Sequence, residues 1–244
     1  MLNEKVTSEV KDDLAVIQIS NGDQNVIDIE VLMGLAQGVS SAISEEHVKA
    51  VLIRSSGSNF STGYDGSCKR LRDNSWLLTV FDAASAVYNM IRSSGKPFFT
   101  AVGGKCLGLG FELALSGDFI GIAENSKIGI PDFQYGLPSL MVPPSIMENV
   151  IGNRRTFLKL LTSEIISGTE ALDNGIGDVN ISDRDDSLKW VQNKLERLNL
   201  QIFTIQKQQR FPDPSIFREY RSFIKSYDTS VVRIKELEAY RSLV

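Results

Sequence analysis

The sequence predicts an α/β fold with a helical C-terminal appendage. Three features point that way: short β-branched runs alternate with longer segments of helical apolar spacing, several runs close on glycine, and strand signals fade from Arg184 onward. The first element is sheet: Leu14–Ile19 is β-branched with Ala15, Ile17 and Ile19 on one face, and Val6–Val10 is placed to pair with it. From Ile27 to Ile43 the apolar residues Val31, Leu32, Leu35 and Val39 recur near the helical repeat, so a helix follows. The run beginning at Val48 and closed by Gly57 reads as a strand buried in a parallel sheet. A loop, Asn59–Ser67, separates it from a helix over Trp76–Arg92. Lys96–Val102 is a further buried strand ending at Gly103 and Gly104. A helix is expected at Leu109–Leu115, and strands at Phe119–Ala123 and Lys127–Ile130. Repeated strand-then-helix order calls for right-handed crossovers. Beyond the last strand signal near Ile181, Leu188–Leu200, Ser215–Ser226 and Ser230–Leu243 are helical in pattern, punctuated by Pro212 and Pro214. The expected division is a core over residues 1–183 and a helical region over 184–244. The latter is too small for an independent core, and is expected to pack on the first or on a neighbouring subunit.

Composition narrows the function. Apolar residues make up 42% of 244 and charged residues 23%, ordinary for a folded globular chain. The net charge of −4 gives no electrostatic reason to expect nucleic acid or an anionic membrane as a partner, although the pairs Lys69-Arg70 and Arg154-Arg155 are local basic spots. Two cysteines, Cys68 and Cys106, have neither the number nor the spacing of a disulfide framework or a metal site, so a reducing compartment with idle thiols is expected and no metal. The first residues lack the apolar stretch of a signal peptide, and no apolar run is long enough to span a bilayer; the expected location is cytoplasmic. The single histidine, His47, lies in a charged loop, which leaves little basis for a histidine-dependent triad.

Chemistry concentrates in two stretches. In Ala101–Asp118 a strand runs through glycines straight into a helix, so unpaired N–H groups and the positive end of the helix dipole meet there, a turn able to stabilise negative charge. Tight packing explains many such turns, and the spacing of Gly104, Gly108 and Gly110 does not fit a dinucleotide fingerprint. Glu112 adds a carboxylate in the first turn of the helix, which favourable placement at a positive helix end would also explain. The second stretch, Ile128–Ser139, carries Asp132 after a proline, where taken singly an ordinary turn aspartate is the simpler reading.

Both stretches, together with Asn59-Phe-Ser-Thr-Gly-Tyr-Asp65, resemble the enoyl-CoA hydratase/isomerase (crotonase) family in order and approximate spacing. The likeness runs from Asn25-Val-Ile to Glu170-Ala-Leu-Asp-Asn-Gly-Ile-Gly-Asp-Val179, about three quarters of the chain. It implies a ββα superhelix for the core. It also implies an acyl-CoA thioester as substrate, no separate cofactor, and a homotrimer or homohexamer with the C-terminal helices packed across subunits. By motif position, the backbone N–H groups of Tyr64 and Leu109 would form the oxyanion hole, and Glu112 and Asp132 the catalytic carboxylates. Coenzyme A would be held around Thr62, Tyr64 and Gly66, with Lys69 or Arg70 near its phosphates. Lys207 reads as part of a solvated helix face, with a neighbour's coenzyme A as the other possibility.

The chain departs from hydratases at three places. Asp132 stands where they carry glutamate, a substitution shared with a dienoyl-CoA isomerase branch. Pro138-Ser-Leu-Met-Val-Pro-Pro144 replaces a glycine-rich turn that helps to hold water, and Gly22-Asp23-Gln24 lacks a basic residue for coenzyme A. Hydration of a 2-trans-enoyl-CoA is the leading expectation, with double-bond isomerisation close behind. A non-catalytic subunit that binds acyl-CoA is the alternative from another class.

Overall fold

The computed structural model describes residues 4–65, 69–182 and 184–243. β1 (Val6–Lys11) and β2 (Leu14–Ile19) form an antiparallel hairpin with Val6 opposite Ile19. α1 (Ile29–Ser44) is capped by Asp28, whose carboxylate accepts the Val31 N–H at 2.8 Å. It returns the chain to β3 (Ala50–Ser55), parallel to β2. α2 (Asn74–Ser93) then crosses back to β4 (Phe98–Val102), parallel to β3. β6 (Phe119–Ile122) and β9 (Val179–Asn180) complete a six-stranded sheet in the order β1-β2-β3-β4-β6-β9. A second sheet pairs β5 (Lys105–Leu107) with β7 (Lys127–Gly129) and β8 (Ile166–Ser167).

Both faces of the large sheet are covered, which is why its strands read as unbroken apolar runs. Val51, Ile53 and Phe98 pack toward α1 and α2, whereas Ala50, Leu52 and Phe99 pack on the other face beneath α7 (Arg184–Arg197). Each such large side chain contributes about 1.5–3 kcal/mol by leaving water. Two strands followed by a helical segment form the repeating unit, one strand in each sheet. β4 and β5 lead into α3 (Leu109–Ala114), and β6 and β7 lead into a 3-10 turn over Pro131–Tyr135. This is the ββα superhelix that the resemblance implies, and it carries Glu112 and Asp132 at equivalent places in successive units.

Three short helices, α4 (Pro144–Ile151), α5 (Arg154–Leu161) and α6 (Gly168–Asp173), occupy a stretch where periodicity indicated none. Segments of six to eight residues show too few turns for the helical repeat to register. The C-terminal region adds α8 (Leu200–Gln209), α9 (Pro214–Ser226) and α10 (Ile234–Leu243). These helices pack on the chain's own core: Tyr220 of α9 meets Phe81 and Phe217 meets Tyr88 of α2, while α10 lies against the Asp132 turn. Lys207 departs from the solvated-face expectation. It is 4% exposed, its ammonium donating to Asp118 Oδ2 at 2.6 Å and to the Lys96 carbonyl at 2.8 Å. Arg92 reaches the other oxygen of Asp118 at 3.0 Å, so two buried cations share one carboxylate, and among the described residues Arg92 Nε has no hydrogen-bond partner. Burial pulls the Lys207 ammonium down to about 8 although Asp118 favours its charged form.

Candidate active site

Backbone pairing delivers Tyr64 and Leu109 to one place. Asn25 donates from Nδ2 to the carbonyls of Ser56 and Asn59 at 2.7 and 2.8 Å, fixing the start of the loop that carries Tyr64. Ile27 then pairs with the loop: its N–H donates to Gly63 O at 2.8 Å and its carbonyl accepts the Asp65 N–H at 3.1 Å. That pattern uses the groups on either side of Tyr64, so in extended chain the N–H and C=O of Tyr64 itself face the opposite edge. The phenol is buried and accepts a 2.9 Å bond from Trp76 Nε1, which anchors the residue from behind. On its other side the loop is stitched to β5, the Ser61 N–H donating to Lys105 O and Ser61 O accepting the Leu107 N–H.

β5 leads through Gly108 into α3, and Leu109 is the first helical residue, so its N–H has no carbonyl a turn earlier to bond. Gly108 has φ +52°, a left-handed backbone suited to glycine, and a Cβ there would lie 2.2 Å from Asp132 Oδ2. A Cβ at Gly110 would come within 2.6 Å of Ser61 Cβ, so the start of α3 is in direct contact with the Tyr64 loop.

The two carboxylates are held in different ways. Glu112, 2% exposed, is gripped by the loop after Pro138: Oε2 accepts the N–H groups of Met141 and Val142, each at 2.8 Å, and Oε1 accepts that of Leu140 at 3.2 Å. This loop stands where the resemblance implies a glycine-rich turn, and its amides converge on the glutamate. Burial pushes the Glu112 carboxyl up to about 8; the three N–H donors pull the other way and the nearby Asp132 charge adds to the rise. Tyr220 closes over the same loop with its hydroxyl on Ser139 O, and burial and the Glu112 charge raise that phenol.

Asp132, 4% exposed, sits on the 3-10 turn and pairs with Arg241 of α10, Nη2 to Oδ1, at 2.5 Å. Arg241 also donates from Nη1 to the Tyr64 carbonyl at 2.5 Å. Among the described residues Asp132 Oδ2 has no hydrogen-bond partner. The sequence reading missed Arg241, and a lone arginine in the charged stretch Ile234–Leu243 carries no signal by which to find it.

The Enoyl-CoA hydratase/isomerase family model matches residues 9–208, most of the chain. The protein belongs to the enoyl-CoA hydratase/isomerase family. A probable enoyl-CoA hydratase of Bacillus subtilis is 28% identical over 174 residues, 70% of this chain and 66% of the relative. A peroxisomal fatty acid beta-oxidation multifunctional protein of Arabidopsis thaliana is 22% identical over 88% of the chain, which spans only 30% of that longer protein. Among solved structures, an enoyl-CoA hydratase from Thermoplasma volcanium superposes with a TM-score of 0.79 at 22% identity, covering 92% of this chain and 90% of the other.

In this enoyl-CoA hydratase/isomerase chain the structure describes only part of the coenzyme A set that the resemblance implies. Thr62 is buried, and both its N–H and Oγ1 donate to Gln24 O, so its amide is already committed. Arg70 is exposed and lies over the Trp76 ring at 4.8 Å. Gly66 and the side chain of Lys69 fall outside the described residues, as does Cys68, while Cys106 is a buried free thiol. Among the described residues no group of three or more histidine, cysteine, aspartate or glutamate side chains is placed to hold a metal ion, and no helix is long and apolar enough to cross a membrane.

Proposed function

We propose that the protein hydrates a 2-trans-enoyl-CoA to a 3-hydroxyacyl-CoA. The observation that carries this reading is the convergence of two buried carboxylates, Glu112 and Asp132, on the start of α3 beside the Tyr64 loop. The thioester oxygen would accept the N–H groups of Tyr64 and Leu109, donors worth about 3–4 kcal/mol each as enolate charge develops. One carboxylate takes a proton from water as its oxygen bonds the β-carbon, and the other protonates the α-carbon. Such transfers contribute roughly 10²- to 10⁴-fold in rate. The coenzyme A thioester is the substrate, and the scheme calls on no other cofactor.

Isomerisation of an enoyl- or dienoyl-CoA double bond is the second reading, favoured by the Leu140, Met141 and Val142 amides being taken up on the Glu112 carboxylate. A paired assay separates the two: loss of enoyl absorbance from crotonyl-CoA reports hydration, and its appearance from a 3-enoyl-CoA reports isomerisation. Glu112→Gln is expected to abolish the operative activity with the fold intact. Unchanged turnover in that variant removes the assigned role; absence of both activities with retained acyl-CoA binding favours the non-catalytic subunit. We also infer a trimer or hexamer, supported by Ile202 and Ile205, about half exposed on α8; light scattering tests it.

A further inference from the structure

We propose that Arg241 is a positioning residue of the active site, holding Asp132 by Oδ1 so that the free Oδ2 serves as the proton acceptor while Glu112 serves as the donor. The inference rests on the acyl-thioester reading above and assigns the two carboxylates their separate roles.

Arg241 is fixed at three points, two on its guanidinium and one on its main chain. Nη2 bonds Asp132 Oδ1, Nη1 bonds the Tyr64 carbonyl, and the Arg241 carbonyl accepts the Lys105 ammonium of β5 at 3.0 Å. The side chains of both ion-pair partners are under a tenth exposed, so the pair works where water screens little. A buried carboxylate without a cation would be costly beside a second carboxylate, and the arginine allows Asp132 to carry its charge there. Only one of its two oxygens is used for this. The other, Oδ2, faces Gly108 at the start of α3, one residue from the Leu109 N–H.

The charged and titratable groups around Asp132 are consistent with this division. α3 supplies Glu112, α10 supplies Arg241, β5 supplies Lys105, which is occupied by the Arg241 carbonyl, and α9 supplies Tyr220 on the far side of Glu112. Arg233 near the start of α10 is spent on the Gln134 carbonyl, leaving Arg241 as the cation bonded to Asp132. Glu112 meets neutral amides instead, and burial favours its protonated form. Its proton belongs on Oε1, which has a single long bond, since Oε2 already accepts two short ones. In hydration a water proton passes to Asp132 Oδ2, the water oxygen bonds the β-carbon, and the Glu112 proton goes to the α-carbon. Water is added across the double bond, and proton exchange between the carboxyls resets the pair.

The test compares wild type, Arg241→Met, Arg241→Lys, Asp132→Asn and the Met/Asn double variant as full chains with crotonyl-CoA and 3-enoyl-CoA. Arg241→Met is expected to lower kcat roughly 10- to 100-fold, with KM changed less, and to move the acidic limb of the kcat/KM profile upward by about one pH unit. Arg241→Lys should recover part of the loss. In the Asp132→Asn background the Met substitution should cost clearly less than in wild type, because no carboxylate is left to position and only the hold on the Tyr64 carbonyl remains to be lost. An equal loss in both backgrounds, or an acidic limb that stays in place, overturns the proposal. An infrared titration of the Asp132 carboxylate, identified by its difference from Asp132→Asn, reads the same coupling without turnover. The band should appear at higher pH in Arg241→Met, and an unmoved band also overturns the role. A wild type that turns over neither thioester defeats the reaction assignment, while the infrared result still decides the part played by Arg241.

Discussion

Asp118 and Asp132 are both buried aspartates paired with a cation from the C-terminal helices, yet they are finished differently. Asp118 has both oxygens taken: Oδ1 by Arg92, and Oδ2 by Lys207 and the Phe98 N–H. Asp132 has Oδ1 taken by Arg241 and Oδ2 left open. Full satisfaction makes a clamp, here tying α2, β4 and α8 together. Partial satisfaction leaves a buried lone pair without a partner among the described residues, and it is the half-bonded aspartate that shares its surroundings with Glu112.

The largest expected effect that sharpens this contrast is on stability. Asp118→Asn places an amide N–H₂ in place of one of the two oxygens that between them accept three donors, and leaves Arg92 and Lys207 without their counter-charge. It should cost about 3–5 kcal/mol and lower Tm by roughly 10 °C, measured by urea and thermal unfolding. Asp132→Asn keeps an oxygen for Arg241, whose helix ends two residues later at the exposed Leu243, so its stability cost should stay below about 2 kcal/mol while turnover falls roughly 10²-fold or more. Equal stability costs for the two variants would break the comparison.

Glu112 provides a third contrast, through pH. Its folded carboxyl is raised to about 8 by burial, so between the ordinary carboxylate range and pH 8 the native state holds a proton that the unfolded state has released. The associated stability is full at low pH and is lost as pH rises through about 8. Glu112→Gln removes the titration. Its unfolding free energy relative to wild type should therefore rise between pH 5 and pH 8 and then level, a change of about a few kcal/mol at most, measured by urea unfolding across that range. The smallest effect is expected for Tyr64→Phe, which deletes the acceptor of Trp76 Nε1 but leaves the Tyr64 amide in place. It should cost about 1 kcal/mol of stability and less than threefold in rate.

What the sequence disclosed follows from the range of the interactions involved. β2, β3 and β4 were legible because both faces of the sheet demand apolar residues, and α3 because its glycine turn is local. Glu112 and Asp132 were reached through motif order. Arg241 was not, since its partners Tyr64 and Asp132 lie more than a hundred residues earlier, and nothing in Ile234–Leu243 distinguishes a buried guanidinium from a solvated one. Lys207 misled for the same reason, as charged residues on helices default to the surface until a partner such as Asp118 is known. The loop over Pro138–Pro144 could be seen to differ from a glycine-rich turn, but its grip on Glu112 uses backbone amides, which every residue carries and no composition reveals.

The chain has two tryptophans, and they sit in separate optical environments. Trp190 meets Phe99 edge-on beneath α7, on the face of the large sheet opposite α1 and α2. Trp76 is one hydrogen bond from the Tyr64 phenol and stacks under Arg70. In a Trp190→Phe background the remaining indole becomes a single emitter wired to the loop that would receive the thioester. Its quantum yield and emission maximum then provide a titration signal for acyl-CoA occupancy that needs no chemical step, and stopped-flow mixing would turn that signal into association and release rates.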